Sequence, residues 1–431
     1  MKTVVWDLLS QKEKDEVLAR PVAVMKLDVE GIVSEITSRI KNEGDAALLE
    51  YSRKLDHAED GKLRLTEEEI QEKCARVPED LKTALRHARD NIAAFHEQQK
   101  IPPVTVTTQE GITCELHTHA VDSVGLYVPG GSAPLVSTAL MLGVPAQIAG
   151  CRKVILCSPP PVADEIVYAA SLCGITEIYG IGGAQAIAAM AYGTATVPRV
   201  DKIFGPGNAF VTEAKKQVSK DSRGAAIDMP AGPSEVLIIA DGEADPAYVA
   251  ADLLSQAEHG PDSQTILLTD SRKLAEEVSA AVDRQLAALP RKDIAARSMA
   301  SSRTVICADL AQACGISNLY APEHLIIQTR DPRSLLPDLR NAGSIFLGAW
   351  SPEAAGDYAS GTNHTLPTYG YAKNYSSLGL ADFQRRYTVQ ELTRDGLASL
   401  EDTIVKMTNA EGLDAHQRAV TIRLGHYREE L

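Results

Sequence analysis

Five separate stretches of the chain end in short clusters of side chains that bind metals or move protons. They are AGPSE (Ala231–Glu235), SQAEHG (Ser255–Gly260), PEHL (Pro322–Leu325), GDYASGTNH (Gly356–His364) and EGLDAH (Glu411–His416). Together they hold four of the ten histidines (His259, His324, His364 and His416) with Gln256, Glu323, Asp357 and Glu411. Two imidazoles, a carboxylate and an amide oxygen make a mixed nitrogen and oxygen shell that suits zinc or a neighbouring divalent ion. An adjacent Glu–His pair outside such a shell is free to shuttle protons near neutral pH. The combination points to an enzyme.

Spacing sharpens some of these groups and leaves others open. Gln256 and His259 are three residues apart and share one face of a helix's last turn. That helix is punctuated by Asp245 as N-cap, Pro246 at its first position and Gly260 just past its end. A histidine there equally answers the helix dipole, with the glutamine solvated. Asp357 lies among Gly356, Ser360, Gly361 and Asn363, a loop composition that lets a ligand approach, although a lone aspartate also suits a turn. His416, near the start of the last helix, is by itself as readily structural; only convergence of the groups makes a metal site. Glu323–His324 opens the strand-like HLIIQT, where successive side chains point to opposite faces. For both to serve one reaction the backbone must turn, which Pro322 permits; a surface ion pair is the plainer alternative. His87, His96, His117 and His119 have no polar cluster around them and read as structural or solvated.

The elements that must position these residues follow from the hydrophobic pattern. The first hundred residues read as helical, with Asp80 as N-cap of a helix from Leu81 to Gln99, and Thr113–Val121 as β-like. From Val124 to Val236 short apolar runs alternate with helical segments, the texture of a parallel α/β sheet. A second such region follows: VLIIAD, TILLTD, RTVICAD and HLIIQT. From about Gly379 the tail reads as mostly helical, with Ser399 and Asp402 capping a helix through Thr408. Ligand sites in such sheets lie beyond the carboxyl ends of strands, where Gly182, Gly183, Gly205 and Gly207 fall. Neither GIGGAQ (Gly180–Gln185) nor GPGNAF (Gly205–Phe210) completes a dinucleotide fingerprint. Each nevertheless precedes a helix whose first amides are available to phosphate.

Bulk properties set the limits. A chain of 431 residues is too long for one core, so two or three domains are expected. A formal charge of −15 argues against nucleic acid or an anionic membrane as partner. The uncharged stretch Ser123–Cys151 is broken by Pro129, Gly130, Gly131, Pro134, Gly143 and Pro145, which disfavours a membrane span. The N-terminus does not read as a signal peptide. The seven cysteines show no paired spacing, which fits a reducing cytoplasm.

At IDMPAGPSEVLIIAD (Ile227–Asp241) the chain resembles histidinol dehydrogenase. VGLYVPGGSAPLVSTALMLGVPAQIAGC, GPGNAFVTEAKK, DLLSQAEHG, YAPEHL and GDYASGTNHTLPT extend the resemblance over nearly the whole chain, in the family's order. It implies oxidation of L-histidinol to L-histidine in two NAD-dependent steps through a bound aldehyde, the last step of histidine biosynthesis. It implies one zinc ion per subunit on Gln256, His259, Asp357 and His416, the last contributed across an intertwined homodimer together with a substrate-binding Glu411. Ser234, His324 and His364 are expected to complete the substrate contacts alongside the zinc-binding residues. Glu323 and His324 would move protons, and Tyr127, Gln185 and Asn208 would contact NAD.

The fold so implied is two Rossmann-like parallel-sheet domains with incomplete dinucleotide fingerprints, plus a helical C-terminal tail exchanged in the dimer. The expected organisation is a helical arm (1–20), a first α/β domain (21–126 with 235–378), a second carrying the NAD loops (127–234) and the tail (379–431). Three rivals use overlapping residues. They are a thiol-dependent aldehyde dehydrogenase, an enzyme of the same scaffold oxidising another alcohol such as a sulfonated diol, and a zinc hydrolase with Glu323 as base.

Overall fold

The computed structural model describes residues 1–21, 28–58, 61–130, 134–230 and 232–426. Gly131 and Ala231, both used in reading the sequence, lie outside the described residues. Fourteen strands occur among the described residues. They are β1 (Lys2–Val5), β2 (Val104–Gln109), β3 (Ile112–Ala120), β4 (Ser123–Tyr127), β5 (Lys153–Ser158), β6 (Glu177–Gly180) and β7 (Lys202–Phe204), then β8 (Ala226–Ile227), β9 (Glu235–Ala240), β10 (Gln264–Thr269), β11 (Arg303–Ile306), β12 (His324–Gln328), β13 (Ser344–Leu347) and β14 (Gln384–Leu392). The chain divides into two compact units, one of Met1–Gln99 with Val121–Phe383, the other of Lys100–Ala120 with the chain from Gln384 onward.

The first unit contains two wholly parallel sheets. One runs β6-β5-β4-β7-β8 and the other β1-β11-β10-β9-β12-β13. With the edge strand β1 set aside, both follow one order: third, second, first, fourth, fifth strand of their own stretch of chain. The two halves therefore share one topology. In each, the crossover changes side next to the first strand, between β4 and β7 in one sheet and between β9 and β12 in the other. Strands β9, β10 and β12 are buried along their entire length, because helices cover both faces. That is why they read as continuous apolar runs rather than alternating ones.

The five-stranded sheet is sandwiched by Val136–Ala149 and Asp164–Leu172 on one face and by Gly183–Tyr192 and Ala209–Lys220 on the other. The N-terminal helices add outer layers: Glu79–Glu97 packs on Val136–Ala149, and Val29–Glu43 on Gly183–Tyr192 and Ala209–Lys220. At the far end of this unit Phe383 stacks on Phe204, ring centroids 4.0 Å apart and 12° from parallel, both fully buried. No helix among the described residues is long and apolar enough to cross a membrane.

The second unit is an antiparallel sheet, β14-β3-β2, followed by helices Arg394–Glu411 and Asp414–Leu424. Here the structure departs from the sequence reading. The tail begins with a nine-residue strand, because QRRYTVQEL carries so many outward polar groups that its alternation is hard to discern. The following helix starts at Arg394 with Thr393 as its cap, so Ser399 lies inside it. Likewise residues 1–20 are not purely helical: KTVV forms β1, paired in parallel with β11, ahead of the helix Gln11–Leu18. The helix expected to be capped by Asp80 begins at Glu79, after Pro78.

Replacing Phe383 by Ala removes half of the aromatic stack and leaves a cavity beside β7. It is expected to cost about 3–5 kcal/mol, seen as a clear fall in unfolding temperature. Phe383→Leu should lose visibly less; an unchanged midpoint for the alanine variant would show that the stack contributes nothing.

Candidate active site

Between the two sheets lies a cavity of about 120 Å³. One wall is the carboxyl edge of the five-stranded sheet at its β4/β7 crossover, as parallel-sheet topology predicts. Gly205, Pro206, Asp228 and Met229 line it there. The other wall is the opposite end of the six-stranded sheet, the amino ends of β9 and β12, where Ser234, Glu323 and His324 also line it. The second sheet thus offers the edge that the usual rule does not select.

Helix Pro246–Ala257 is built as its sequence indicates, with the Asp245 side chain accepting from Ala247 N–H at 2.7 Å and Pro246 at the first position. Its last turn delivers the fully buried Gln256, and His259 follows just beyond the end. Asp357 was expected on a loop; it sits instead in a short helix, Glu353–Tyr358, one turn after Glu353. Ligand atoms of His259, Glu353 and Asp357 lie within 4.8 Å of one another. The Gln256 amide reaches the same place; assigned in the orientation that satisfies its neighbours, its nitrogen donates to Glu353 and its oxygen accepts from Glu235 N–H at 3.0 Å. Glu353, which sequence reasoning missed, had one available signal: it lies four residues before Asp357 and therefore on the same helical face.

Glu323 and His324 both line the cavity although they are sequence neighbours at a strand start. The chain turns just before them, at Ala321, which holds a left-handed φ of 54°. Both side chains then attach to the backbone of one residue, Glu235. Glu323 Oε2 accepts from Glu235 N–H at 2.8 Å, and His324 Nδ1 lies 3.1 Å from the Glu235 carbonyl oxygen. A carbonyl only accepts, so Nδ1 carries a proton. Nε2 is left with no hydrogen-bond partner, 3.4 Å from Asp357 Oδ1.

Electrostatics follow from crowding. Burial pushes the Glu323 carboxyl up to about 8 and that of Glu353 to about 8 as well. For His324 burial disfavours the charged ring, but Glu353, Glu323 and Asp357 together outweigh it and raise its pKa well above the ordinary value. Burial would also raise Asp357, yet the His324 contact holds it below the usual carboxylate range. His259 keeps solvent access at the mouth, while the protein around it costs its charged form some hydration and lowers its pKa. Burial lowers the pKa of His364, whose Nε2 lies 3.2 Å from Ser137 Oγ.

The structure thus brings Ser234, Gln256, His259, Glu323, His324, Asp357 and His364 to one cavity. Glu411 and His416 belong to the second unit, Glu411 ending its first helix and His416 early in the next, both exposed. Sequence reasoning also missed a buried ion pair in the wall, Lys215 with Asp228. Lys215 donates to the Gly205 carbonyl at 2.8 Å while Asp228 Oδ2 accepts from Gly205 N–H at 2.8 Å. Gly205 itself is irreplaceable: its φ is 123°, and a Cβ there would lie 2.1 Å from the Tyr127 carbonyl oxygen.

Tyr127, Gln185 and Asn208 sit at or just beyond the carboxyl ends of β4, β6 and β7. The amides expected to await phosphate are partly taken. Gly182 N–H donates to Asp56 Oδ2 at 3.1 Å, and Gly183 N–H to the Tyr127 hydroxyl at 3.0 Å. The Gln185 amide also binds Asp56, at 3.0 Å. In the second glycine loop Asp228 holds Gly205, and Asn208 caps the next helix through Phe210 and Val211 N–H.

Comparison with known proteins is consistent along the chain. The histidinol dehydrogenase family model matches residues 18–424. Histidinol dehydrogenase of Photobacterium profundum is 61% identical over 430 residues, covering 100% of this chain and 97% of that protein. The Salmonella typhimurium enzyme is 58% identical, covering 99% and 98%. The crystal structure of histidinol dehydrogenase from Elizabethkingia anophelis superposes with a TM-score of 0.95 at 46% identity, covering 99% of this chain and 98% of that one.

One buried acid beside the site makes a pH-dependent prediction. Asp252, one turn before Gln256, accepts from Gln328 Nε2 at 2.6 Å, while Gln328 Oε1 has no partner. Burial pushes the Asp252 carboxyl up to about 6 from 3.8. The folded chain therefore holds this proton more tightly than the unfolded one, and stability falls as pH rises from about 4 through about 6. Asp252→Asn removes the charge and gives Gln328 Oε1 a donor. It is expected to stabilise by up to about 2–3 kcal/mol above pH 7, with the gain vanishing near pH 4. Unfolding temperatures at pH 5 and pH 8 check this; an equal shift at both would refute the buried-charge explanation.

Proposed function

The chain belongs to the histidinol dehydrogenase family, and from that premise we propose that it oxidises L-histidinol to L-histidine in two NAD-dependent steps at the cavity just described. The observation that carries this reading is the convergence of the His259–Glu353–Asp357 group with Gln256, the Glu323–His324 pair, Ser234 and His364 on one small cleft.

The donor set fits a zinc ion. Glu353, buried, and Asp357, half-buried, are carboxylates one helical turn apart, with an imidazole and an amide beside them. With the Gln256 amide reversed, its oxygen would meet the Glu353 oxygens, a repulsion that a cation turns into attraction. Gln256, His259 and Asp357 would hold the ion with His416 of a second copy, and Glu353 would stand beside them as an additional acceptor. Bound zinc would orient the substrate's imidazole and amine rather than ionise water, and NAD would accept the two hydrides.

The chain's own groups move the protons. His324, its Nδ1 proton tied to the Glu235 carbonyl, presents Nε2 to the cavity; a bound cation that engages Asp357 would weaken the field that favours the charged ring, and the neutral ring would then take the alcohol proton in the first oxidation. Glu323, its carboxyl pushed up to about 8 by burial and fixed by Glu235 N–H, would then as the carboxylate take a proton from the water that hydrates the aldehyde. His324 acts again as base when the hydrate is oxidised. Keeping the aldehyde in an enclosed cavity protects it from side reactions.

Support for a homodimer comes from the second unit. Met407 and Ile422 on its helices are 59% and 57% exposed, and Val104 and Val106 on its edge strand are also uncovered. Apolar groups on an exposed surface favour association with a second copy, which would bring Glu411 and His416 to the partner's cavity. The thiol-dependent rival loses ground, since no cysteine lines the cavity and burial pushes Cys151 up to about 11 and Cys173 and Cys307 up to about 12. A biosynthetic dehydrogenase of this kind is placed in the cytoplasm.

The purified, zinc-loaded protein should form two NADH per histidinol consumed. One NADH would mean that the aldehyde escapes; none, with turnover of a different alcohol in a substrate panel, would replace the substrate assignment. Glu323→Gln should depress the second oxidation at least tenfold more than the first, measured with histidinol and with supplied histidinaldehyde. Equal losses in both would remove the division of labour between Glu323 and His324.

A further inference from the structure

Behind the Glu323–His324 pair, on the side away from the cavity, lies a clamp built from the N-terminal segment. Arg20 is largely buried. Its Nε donates to Glu235 Oε1 at 2.7 Å and its Nη2 to Glu235 Oε2 at 3.1 Å, a two-pronged grip. The same Nη2 donates to the Tyr320 carbonyl at 2.7 Å and reaches the Ala321 carbonyl at 3.4 Å. The guanidinium lies over the Tyr320 ring, 3.9 Å from its centre. Neighbours lock this arrangement. Gln264 joins the Tyr320 hydroxyl to the Ala19 carbonyl. The Tyr369 hydroxyl donates to the Pro21 carbonyl at 3.1 Å, and Tyr369 N–H donates to Glu235 Oε1 at 2.9 Å.

We propose that Arg20 is a positioning residue for the Glu323–His324 pair, acting through Glu235. This rests on the reading of that pair as the proton-moving groups. Glu235 faces two ways. Its side chain binds Arg20, while its peptide N–H fixes Glu323 and its carbonyl receives His324 Nδ1. Any displacement of the Glu235 side chain is therefore transmitted to both catalytic side chains through one residue.

Backbone strain supports the same assignment. Among the described residues only His57, Ala321 and Tyr369 are non-glycine residues with positive φ. Two of the three, Ala321 at 54° and Tyr369 at 55°, are tied directly to the Arg20–Glu235 pair. Such conformations persist only where the surroundings over-determine them. Ala321 is the turn that delivers Pro322, Glu323 and His324 to the cavity. Removing Arg20 would leave the Glu235 carboxylate buried without its counter-charge, a state the fold relieves by moving it.

The test uses the full-length, zinc-loaded enzyme with Arg20→Gln and Arg20→Lys. Lysine keeps the charge but cannot form the fork. Arg20→Gln is expected to lower kcat for aldehyde oxidation at least tenfold while KM for histidinol and zinc content stay within about twofold. Arg20→Lys should recover the unfolding temperature more completely than it recovers kcat. Histidine-selective ¹⁵N NMR, with His324 assigned by His324→Gln, reads the geometry without turnover, and the His324 ring signals should move in Arg20→Gln. Unmoved signals, kcat within twofold of the parent, a loss shared equally by KM and kcat, or failure of both variants to fold would each overturn the proposal. If the parent forms no NADH from histidinol, the functional reading fails separately, and the NMR comparison still decides the positioning role.

Discussion

Too many carboxylates share too little space, and the rest of the site is arranged around that constraint. Glu235, Glu323 and Glu353 are each at most 6% exposed, and Asp357 adjoins them. An unpaired buried carboxylate is costly, so each must find a proton, a cation or a set of N–H donors. The four are resolved differently. Glu235 takes the Arg20 fork, Glu323 takes a peptide N–H and a raised pKa, Asp357 leans on His324, and Glu353 is left with an amide. The two least satisfied, Glu353 and Asp357, are those that face His259. On the proposed reading, that is where the cation would sit.

The fold explains how such a concentration is held. Two sheets of identical strand order meet with unlike edges, the carboxyl edge of one against the amino edge of the other. The carboxyl edge contributes loops braced by Asp228 and Asn208. The amino edge contributes strand starts, where side-chain positions are fixed by ladder hydrogen bonds on both sides: β12 is paired with β9 and with β13. Acid–base groups gain from the rigid edge, since proton transfer needs placement within hydrogen-bond reach.

Much of this was legible in the residues. The cap, proline and glycine around Pro246–Ala257 located the helix that carries Gln256, and the three-residue spacing put His259 beside it. Continuous apolar runs marked the buried parallel strands. What escaped had physical reasons. Glu353 looked like an ordinary first-turn acid, and only burial distinguishes it. Lys215 and Asp228 pair across a stretch of chain that no local pattern flags. Strand β14 hid behind its arginines. Glu411 and His416 stood out only as a polar cluster, and their ligand roles across a dimer entered through family resemblance alone.

The glycine loops show why an incomplete fingerprint is meaningful rather than merely weak. A full G-x-G-x-x-G turn keeps its amides free so that a pyrophosphate can sit on the helix N-terminus. Here the chain's own acids stand where that anion would be. Asp56 occupies the first turn through Gly182, and Asp228 occupies the second through Gly205. These acids take up amides that a phosphate would otherwise use. On the proposed reading, the dinucleotide must therefore be held mainly by contacts elsewhere, with Tyr127, Gln185 and Asn208 touching it from residues already engaged in bracing the loops. The same bracing keeps the β4/β7 crossover shaped when no cofactor is bound. A dehydrogenase that keeps its intermediate between two oxidations while exchanging one cofactor for another needs this combination: a cavity wall that stands without the dinucleotide, and no anion cradle tight enough to delay its departure.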